Sequence, residues 1–290
     1  MTSTSSPPGP SEDDLAGIAR RHAELWSLAD PVPLARTAMA LVLRVRRADG
    51  SPAILKCLSE TGRREEGAAP AVLRAFAGTG AVRLLEADDE VHLVEHCAGP
   101  PLLGWPDGHR DDIAVPIIAD TVSRLHGSRA ARPAAVPTLA DRCTALDRAI
   151  SHEAAPHQAR FLRARRIADE LLTAQMPVLL HGDLHHENIL RAVRPGGATW
   201  LAIDPQGVWG DPAYEVANAF GNPRGHPEVT LAPGRPRRLA SAFAGTLGLD
   251  PHRILGWAFV HSCIAAAWAI EDGVDPGHRV AVADAVASEL

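Results

Sequence analysis

Leu180-His181-Gly182-Asp183-Leu184-His185-His186-Glu187-Asn188-Ile189-Leu190 is the stretch that decides the fold, together with Leu201-Ala202-Ile203-Asp204-Pro205 just beyond it. It sets a carboxylate and a carboxamide five residues apart, Asp183 and Asn188, and the second run closes on another carboxylate, Asp204. That arrangement suits phosphoryl transfer from a metal nucleotide. One carboxylate accepts the proton of an attacking hydroxyl, while an amide oxygen and a second carboxylate hold Mg²⁺ on the phosphates.

Upstream, Lys56 is the only lysine in the chain; the other 28 of the 29 basic Lys and Arg residues are arginine. A lone lysine in that background marks a place where a compact point charge serves and a planar fork does not. Pro52-Ala53-Ile54-Leu55-Lys56-Cys57-Leu58 reads as a short buried strand carrying it. In kinase-type sites a strand lysine of this kind contacts the α- and β-phosphates and pairs with a helix glutamate. The bland alternative, a surface lysine surviving by chance, loses weight beside Asp183, Asn188 and Asp204.

Working outward, residues 12–28 predict an amphipathic helix, with Leu15, Ile18, Ala19, His22, Leu25 and Trp26 near one stripe. Strands are expected at Thr37–Val45, at the Lys56 segment, at Val82–Leu85 and at Val91–Glu95. A helix over Arg63–Phe76 is interrupted by Gly67 and Pro70. Ala98-Gly99-Pro100-Pro101 then breaks the pattern. Beyond it helices are expected at 113–125, 140–150, 158–174, 214–220, 236–246 and 254–271, with short strands at 178–180, 189–190 and 200–203. The domain division is a disordered lead-in over 1–12, a sheet lobe over 13–97 and a helical lobe over 98–290. The fold class is α+β and bilobal, a small antiparallel sheet followed by a mainly helical part. No Walker-type Gly-x-x-x-x-Gly-Lys segment is present.

Composition narrows the class. At 46% hydrophobic and 22% charged, the chain reads as a soluble globular protein. A net charge of −6 argues against non-specific nucleic-acid binding, which needs a basic surface. Cys57, Cys97, Cys143 and Cys263 are scattered without paired spacing, as reduced thiols of a cytoplasmic protein would be. The longest apolar stretch, Ala258–Ile270, is interrupted by His261 and Ser262 and looks too short to span a bilayer. A small-molecule acceptor is expected, with no nucleic acid, membrane or obligatory protein partner.

The block His181–Leu190 resembles the catalytic loop of aminoglycoside phosphotransferases. Ile203-Asp204-Pro205-Gln206-Gly207-Val208-Trp209-Gly210-Asp211-Pro212-Ala213-Tyr214 resembles the aminoglycoside/hydroxyurea phosphotransferases, the group that includes streptomycin 6-kinases. That group usually has lysine where this chain has Gln206. Gly80–Leu85 and Trp268–Gly273 extend the likeness, so that it runs from about Leu34 to Gly273. The resemblance implies a protein-kinase-like fold and an ATP- and Mg²⁺-dependent kinase of a hydroxyl on an aminoglycoside, with an endogenous sugar, amino alcohol or similar metabolite as the alternative acceptor and a non-catalytic nucleotide-binding module as the remaining alternative. It implies Asp183 as catalytic base, Asn188 and Asp204 as Mg²⁺ ligands, and Lys56 on the α/β-phosphates. Glu95, His96 and Cys97 become the hinge whose backbone reads adenine. Glu66 is the partner for Lys56, with Glu65 as runner-up. The turn covering the phosphates falls near Thr37-Ala38-Met39-Ala40.

Other residues keep two readings. His181 packs structurally or ligates a metal, and Mg²⁺ prefers oxygen. His185 and His186 with His181 and Asp183 faintly suggest a binuclear hydrolase, without the further His/Asp clusters such a site needs. Asp211 caps a helix before Pro212 or anchors the catalytic loop. Glu271 and Asp272 face a cationic acceptor or are solvated acids at a helix end. Arg160, Arg163, Arg165 and Arg166 read as a solvated helix face.

Overall fold

The computed structural model describes residues 12–151, 157–173 and 176–290. The lead-in expected over residues 1–12 lies outside them apart from Glu12, which opens α1 (Glu12–Leu25). Leu15, Ile18 and Ala19 of α1 are buried against the sheet that follows. That sheet comprises β1 (Ala29–Arg36), β2 (Ala40–Arg46), β3 (Pro52–Leu58), β4 (Leu84–Ala87) and β5 (Val91–Glu95) in the order β1-β2-β3-β5-β4. All pairings are antiparallel, and Lys56 sits between Val42 and His92 in register.

β1 was not among the expected strands, and it carries Pro31 and Pro33, which do not favour one. It forms at the sheet edge, where a proline costs no ladder bond on its open side. The strand expected from Thr37 begins instead at Ala40. Thr37 turns the chain, its N–H donating to the Ala40 carbonyl at 3.0 Å and its Oγ1 accepting from Met39 and Ala40 N–H. Gly67 breaks the next helical stretch into α2 (Glu60–Glu66) and α3 (Ala69–Phe76). Ser59 starts α2 four residues before the expected point, its Oγ accepting from Gly62 N–H at 3.1 Å.

The second part contains α4 (Asp111–Gly127), α5 (Leu139–Ser151), α6 (Gln158–Leu172), β6 (Val178–Leu180), β7 (Ile189–Arg194), β8 (Gly197–Ala202) and β9 (Val208–Gly210). It ends with α7 (Pro227–Thr230), α8 (Arg235–Leu247), α9 (Pro251–Glu271) and α10 (Gly277–Ala287). β6 pairs with β9 and β7 with β8, each antiparallel. The helix expected at 214–220 is two short 3₁₀ turns, Pro212–Tyr214 and Ala217–Gly221, because Glu215 turns inward between them.

Two hydrophobic cores result. A small one joins α1 to the sheet, and a large one fills the helical part. α3 belongs to the large core through Val72, Leu73 and Phe76, and Ala81 bridges in parallel to Ala202 of β8. The two parts are therefore stitched behind the cleft as well as joined by the chain. α9 corrects the length read from Ala258–Ile270: it runs 21 residues and is long and apolar enough to cross a bilayer. It is instead the central core helix, with Trp257, Ala258, Val260, Cys263 and Ile264 fully buried. The four described cysteines are free; Cys57, Cys143 and Cys263 are buried, and burial pushes each thiol up to about 12.

Candidate active site

β6 delivers the chain to His181, which is fully buried. Its Nδ1 accepts from Asp183 N–H at 3.3 Å, which leaves Nε2–H to donate to the Ile203 carbonyl at 2.8 Å. Both ring nitrogens are thus taken by backbone groups, and burial lowers the pKa, so the neutral ring is a spacer between the two carboxylate-bearing loops. Gly182 follows at φ +82°, where a Cβ would come within 3.0 Å of Val208. The carboxylate of Glu215, also buried, accepts from His181 N–H at 2.7 Å and Gly182 N–H at 3.1 Å. Burial would raise the Glu215 pKa, but His126 and the loop N–H groups outweigh it and hold the acid below its usual range. The loop is thus pinned on one side by a histidine and on the other by an ionised carboxylate.

That pinning presents Asp183. Asn188 Nδ2 donates to the Asp183 carbonyl at 2.9 Å and lies 3.3 Å from its Oδ2, while Asn218 Nδ2 donates to Oδ1 at 2.9 Å. Asn218 is itself fixed by Asn222 and by His261, whose other ring nitrogen meets the Tyr214 hydroxyl at 2.8 Å. Burial pushes the Asp183 carboxyl up to about 6, against the pull of Arg142 and Arg224. A carboxylate oriented by two carboxamides and raised in basicity is suited to accept a hydroxyl proton.

Across the cleft, Asp204 occupies the left-handed region at φ +56°, a strained setting that aims its carboxylate at Lys56. Lys56 Nζ lies 2.8 Å from Asp204 Oδ1 and also pairs with Glu66 of α2. Glu65, the alternative partner, lines the cleft without reaching the lysine. Burial would lower the Lys56 pKa, but Asp204 and Glu66 more than offset it and the ammonium is held above its usual value. Asn188 uses its Nδ2 on Asp183, and among the described residues no donor meets its Oδ1. This oxygen and the Asp204 carboxylate line the same cleft, and a pair of oxygen donors fits a hard divalent cation such as Mg²⁺.

Three spaces meet here. A slot of about 170 Å³ is lined by Val42, Ile54, Lys56, Leu73, Ile203 and the segment Glu95–Cys97. Glu95 does more than lie at the hinge: its carboxylate binds Arg194 of β7, with Nε to Oε1 at 2.8 Å, and accepts from Arg83 N–H. The open cleft of about 1010 Å³ holds Asp183, Asn188 and Asp204 together with Glu271 and Asp272 at the end of α9. Glu271 is paired with Arg148 at 2.8 Å. Behind Asp183 a cavity of about 320 Å³ is lined by Asn218, Arg224, His261, Trp268, Asp272 and Arg279.

Other expectations resolve plainly. Asp211 caps the turn after it, accepting from Ala213 N–H at 2.9 Å, and holds Trp257 Nε1 at 2.7 Å and Arg253; the loop anchor is Glu215. Among the described residues no group of three or more His, Cys, Asp and Glu is placed to hold a metal, so the binuclear hydrolase reading has no ligand set. Arg160 is not simply solvated: it ties α6 to Asp284 of α10, and Arg163 lies over Phe259. Trp257 is core, whereas Trp268 lines both the cleft and the rear cavity. Sequence reasoning did not single out Glu215, Asn218, Arg142 or Arg224. Glu215 directly follows the motif ending at Tyr214, which was the available signal.

A small antiparallel sheet, a mainly helical second part and a site of this kind between them define a protein-kinase-like fold. The profile of the aminoglycoside/hydroxyurea antibiotic resistance kinases matches residues 25–273, and the chain belongs to that family. It is a phosphotransferase with an alcohol group as acceptor, and membership in a kinase family implies ATP as the donor. It is 34% identical over 267 residues to a streptomycin 3''-kinase of Klebsiella pneumoniae, covering 89% of this chain and 95% of the relative. It is 33% identical over 284 residues to a streptomycin 6-kinase of Streptomyces griseus, covering 94% and 89%. Among solved structures it resembles the aminoglycoside phosphotransferase APH(4)-Ia, with TM-score 0.64, 18% identity and coverage of 95% and 99%, which bears on the fold alone.

Proposed function

We propose that this chain transfers the γ-phosphoryl group of Mg-ATP to a hydroxyl of a streptomycin-type aminoglycoside in the cytoplasm, as a resistance enzyme. The observation that carries the reading is Asp183, held by Asn188 and Asn218 where the cleft meets the rear cavity. Two streptomycin kinases at 33–34% identity over most of the chain supply the acceptor class. Their names give different positions on streptomycin, so the hydroxyl is left to measurement.

In this reading the sheet part (13–97) carries the nucleotide and the helical part (98–290) carries the catalytic loop and acceptor. Adenine lies in the slot against the backbone of Glu95, His96 and Cys97. Lys56, held by Glu66, meets the α/β-phosphates. Asn188 Oδ1 and Asp204 would hold Mg²⁺, which supplies charge neutralisation on the phosphates. Asp183 orients the acceptor hydroxyl and takes its proton as the bond to phosphorus forms. Glu271 and Asp272 offer negative charge to a cationic acceptor, Glu271 less so because Arg148 already meets it.

A second reading keeps the machinery and changes the acceptor. Arg224 and Arg279 line the rear cavity with Asp272, a wall that suits a neutral or anionic sugar better than a polycation. The test is ATP consumption across streptomycin, other aminoglycosides, hydroxyurea, amino sugars and amino alcohols, with Asp183→Ala as blank. Turnover on streptomycin with a phosphate gain in mass supports the first reading. Turnover confined to a metabolite replaces it with the second.

A further inference from the structure

Arg142, in the first turn of α5, joins the two loops of the site. Its Nη1 donates to the Gly182 carbonyl at 2.5 Å and its Nη2 to Gln206 Oε1 at 2.7 Å. The guanidinium also lies over the rings of Tyr214 and Trp268, at 5.9 and 5.6 Å from their centroids. Arginine has donors and no acceptor, so only the oxygen of the Gln206 carboxamide can face it. The orientation of this amide is therefore settled by chemistry. Its NH₂ end is turned away from Arg142, and no protein acceptor meets it among the described residues.

The space it faces matters. Gln206 lines both the open cleft and the rear cavity, as do Asp183, Arg224, Trp268 and Asp272. A molecule that offers a hydroxyl to Asp183 must pass or occupy this seam. Gln206 is half-buried and lines both spaces, so its amide is within reach of a ligand there. The group is a neutral donor: it matches an acceptor oxygen and disfavours an ammonium or guanidinium at that point.

We propose that Gln206 is a specificity-determining residue, its Arg142-held amide donating a hydrogen bond to an oxygen of the acceptor beside the hydroxyl presented to Asp183. The inference deepens the aminoglycoside reading and rests on it. It orients the acceptor, oxygen-bearing face toward Gln206 and cationic groups toward Asp272.

The test compares wild type with Gln206→Ala and Arg142→Ala. Streptomycin affinity is measured by calorimetry with Mg²⁺ and a non-hydrolysable ATP analogue, and KM for streptomycin and for ATP by steady-state kinetics. Loss of one neutral hydrogen bond should raise the streptomycin Kd and KM about five- to tenfold in Gln206→Ala. KM for ATP should stay within about twofold, because a specificity contact to the acceptor touches no part of the nucleotide. Arg142→Ala frees the amide and releases the Gly182 carbonyl as well, so it should raise the streptomycin KM at least as far as Gln206→Ala and lower kcat in addition. An unchanged streptomycin KM in Gln206→Ala, or a parallel rise in KM for ATP, overturns the inference and leaves the proposed function standing. A wild type that neither binds nor phosphorylates streptomycin overturns that function, and this inference with it.

Discussion

Glu215 shows what a single buried group does for this site. Its two oxygens satisfy the backbone N–H groups of His181 and Gly182, both inaccessible to water. Glu215→Ala leaves two buried donors unpaired and should lower stability by about 2–5 kcal/mol, read as a urea midpoint shift at unchanged slope. An unaltered midpoint would show that the loop does not need its anchor. At this scale the sequence was informative in one direction. Asp183, Asn188, Asp204 and Lys56 were legible because phosphoryl transfer needs those residue types, three of them within one short stretch. Glu215, Asn218 and Arg142 were not, because they reach the loop from 33 to 40 positions away along the chain, and a lone sequence holds no trace of that contact.

At the scale of elements, α2 decides how the Thr37–Ala40 turn sits, the turn proposed to cover the phosphates. Gly62 lies in the middle of α2, and a Cβ there would come within 2.2 Å of the Met39 carbonyl in the Thr37–Ala40 turn. Helix propensity alone favours alanine over glycine by about 0.5–1 kcal/mol. Backbone overlap at that distance outweighs this gain. Gly62→Ala should displace the turn and raise KM for ATP severalfold while KM for acceptor changes little, as steady-state kinetics would reveal. The hinge makes a second prediction. Burial would raise the Glu95 pKa, but Arg194 and the Arg83 N–H prevail and hold it below its usual value. A carboxyl depressed in the folded state adds stability above its unfolded pKa, and that stability is lost as pH falls through the folded value. Glu95→Gln should therefore flatten the acid side of the stability profile, measured as urea midpoint against pH. A profile identical to wild type would count against this tie between β5 and β7. Amphipathic and alternating patterns revealed most helices and strands. The pattern missed β1, whose prolines are tolerated only because it is an edge, and misread 214–220, where Glu215 interrupts the helix.

For the whole molecule, the cleft between two cores links ligand binding to stability. Mg-ATP at about a hundred times its Kd should add about 2.7 kcal/mol to the folded state, seen as a rise in Tm. Asp204→Ala should remove the Mg²⁺-dependent part of that rise, since in the proposed reading it deletes one of two oxygen ligands, and it also removes a partner of Lys56. The bilobal plan was readable because the sheet precedes the helices in sequence. The attachment of α3 to the second core was not readable, since an apolar helix face does not declare which core it joins. Nor did the length of the apolar run fix the role of α9; its burial did. The central claim is that Asp183 drives transfer from ATP to a hydroxyl. A single-turnover reaction with γ-labelled ATP, Mg²⁺ and streptomycin tests it, comparing wild type with Asp183→Ala at equal nucleotide occupancy. The account predicts labelled phosphostreptomycin from the wild type and none from the variant, with ATP bound equally by both. Near-normal labelling by Asp183→Ala would contradict it.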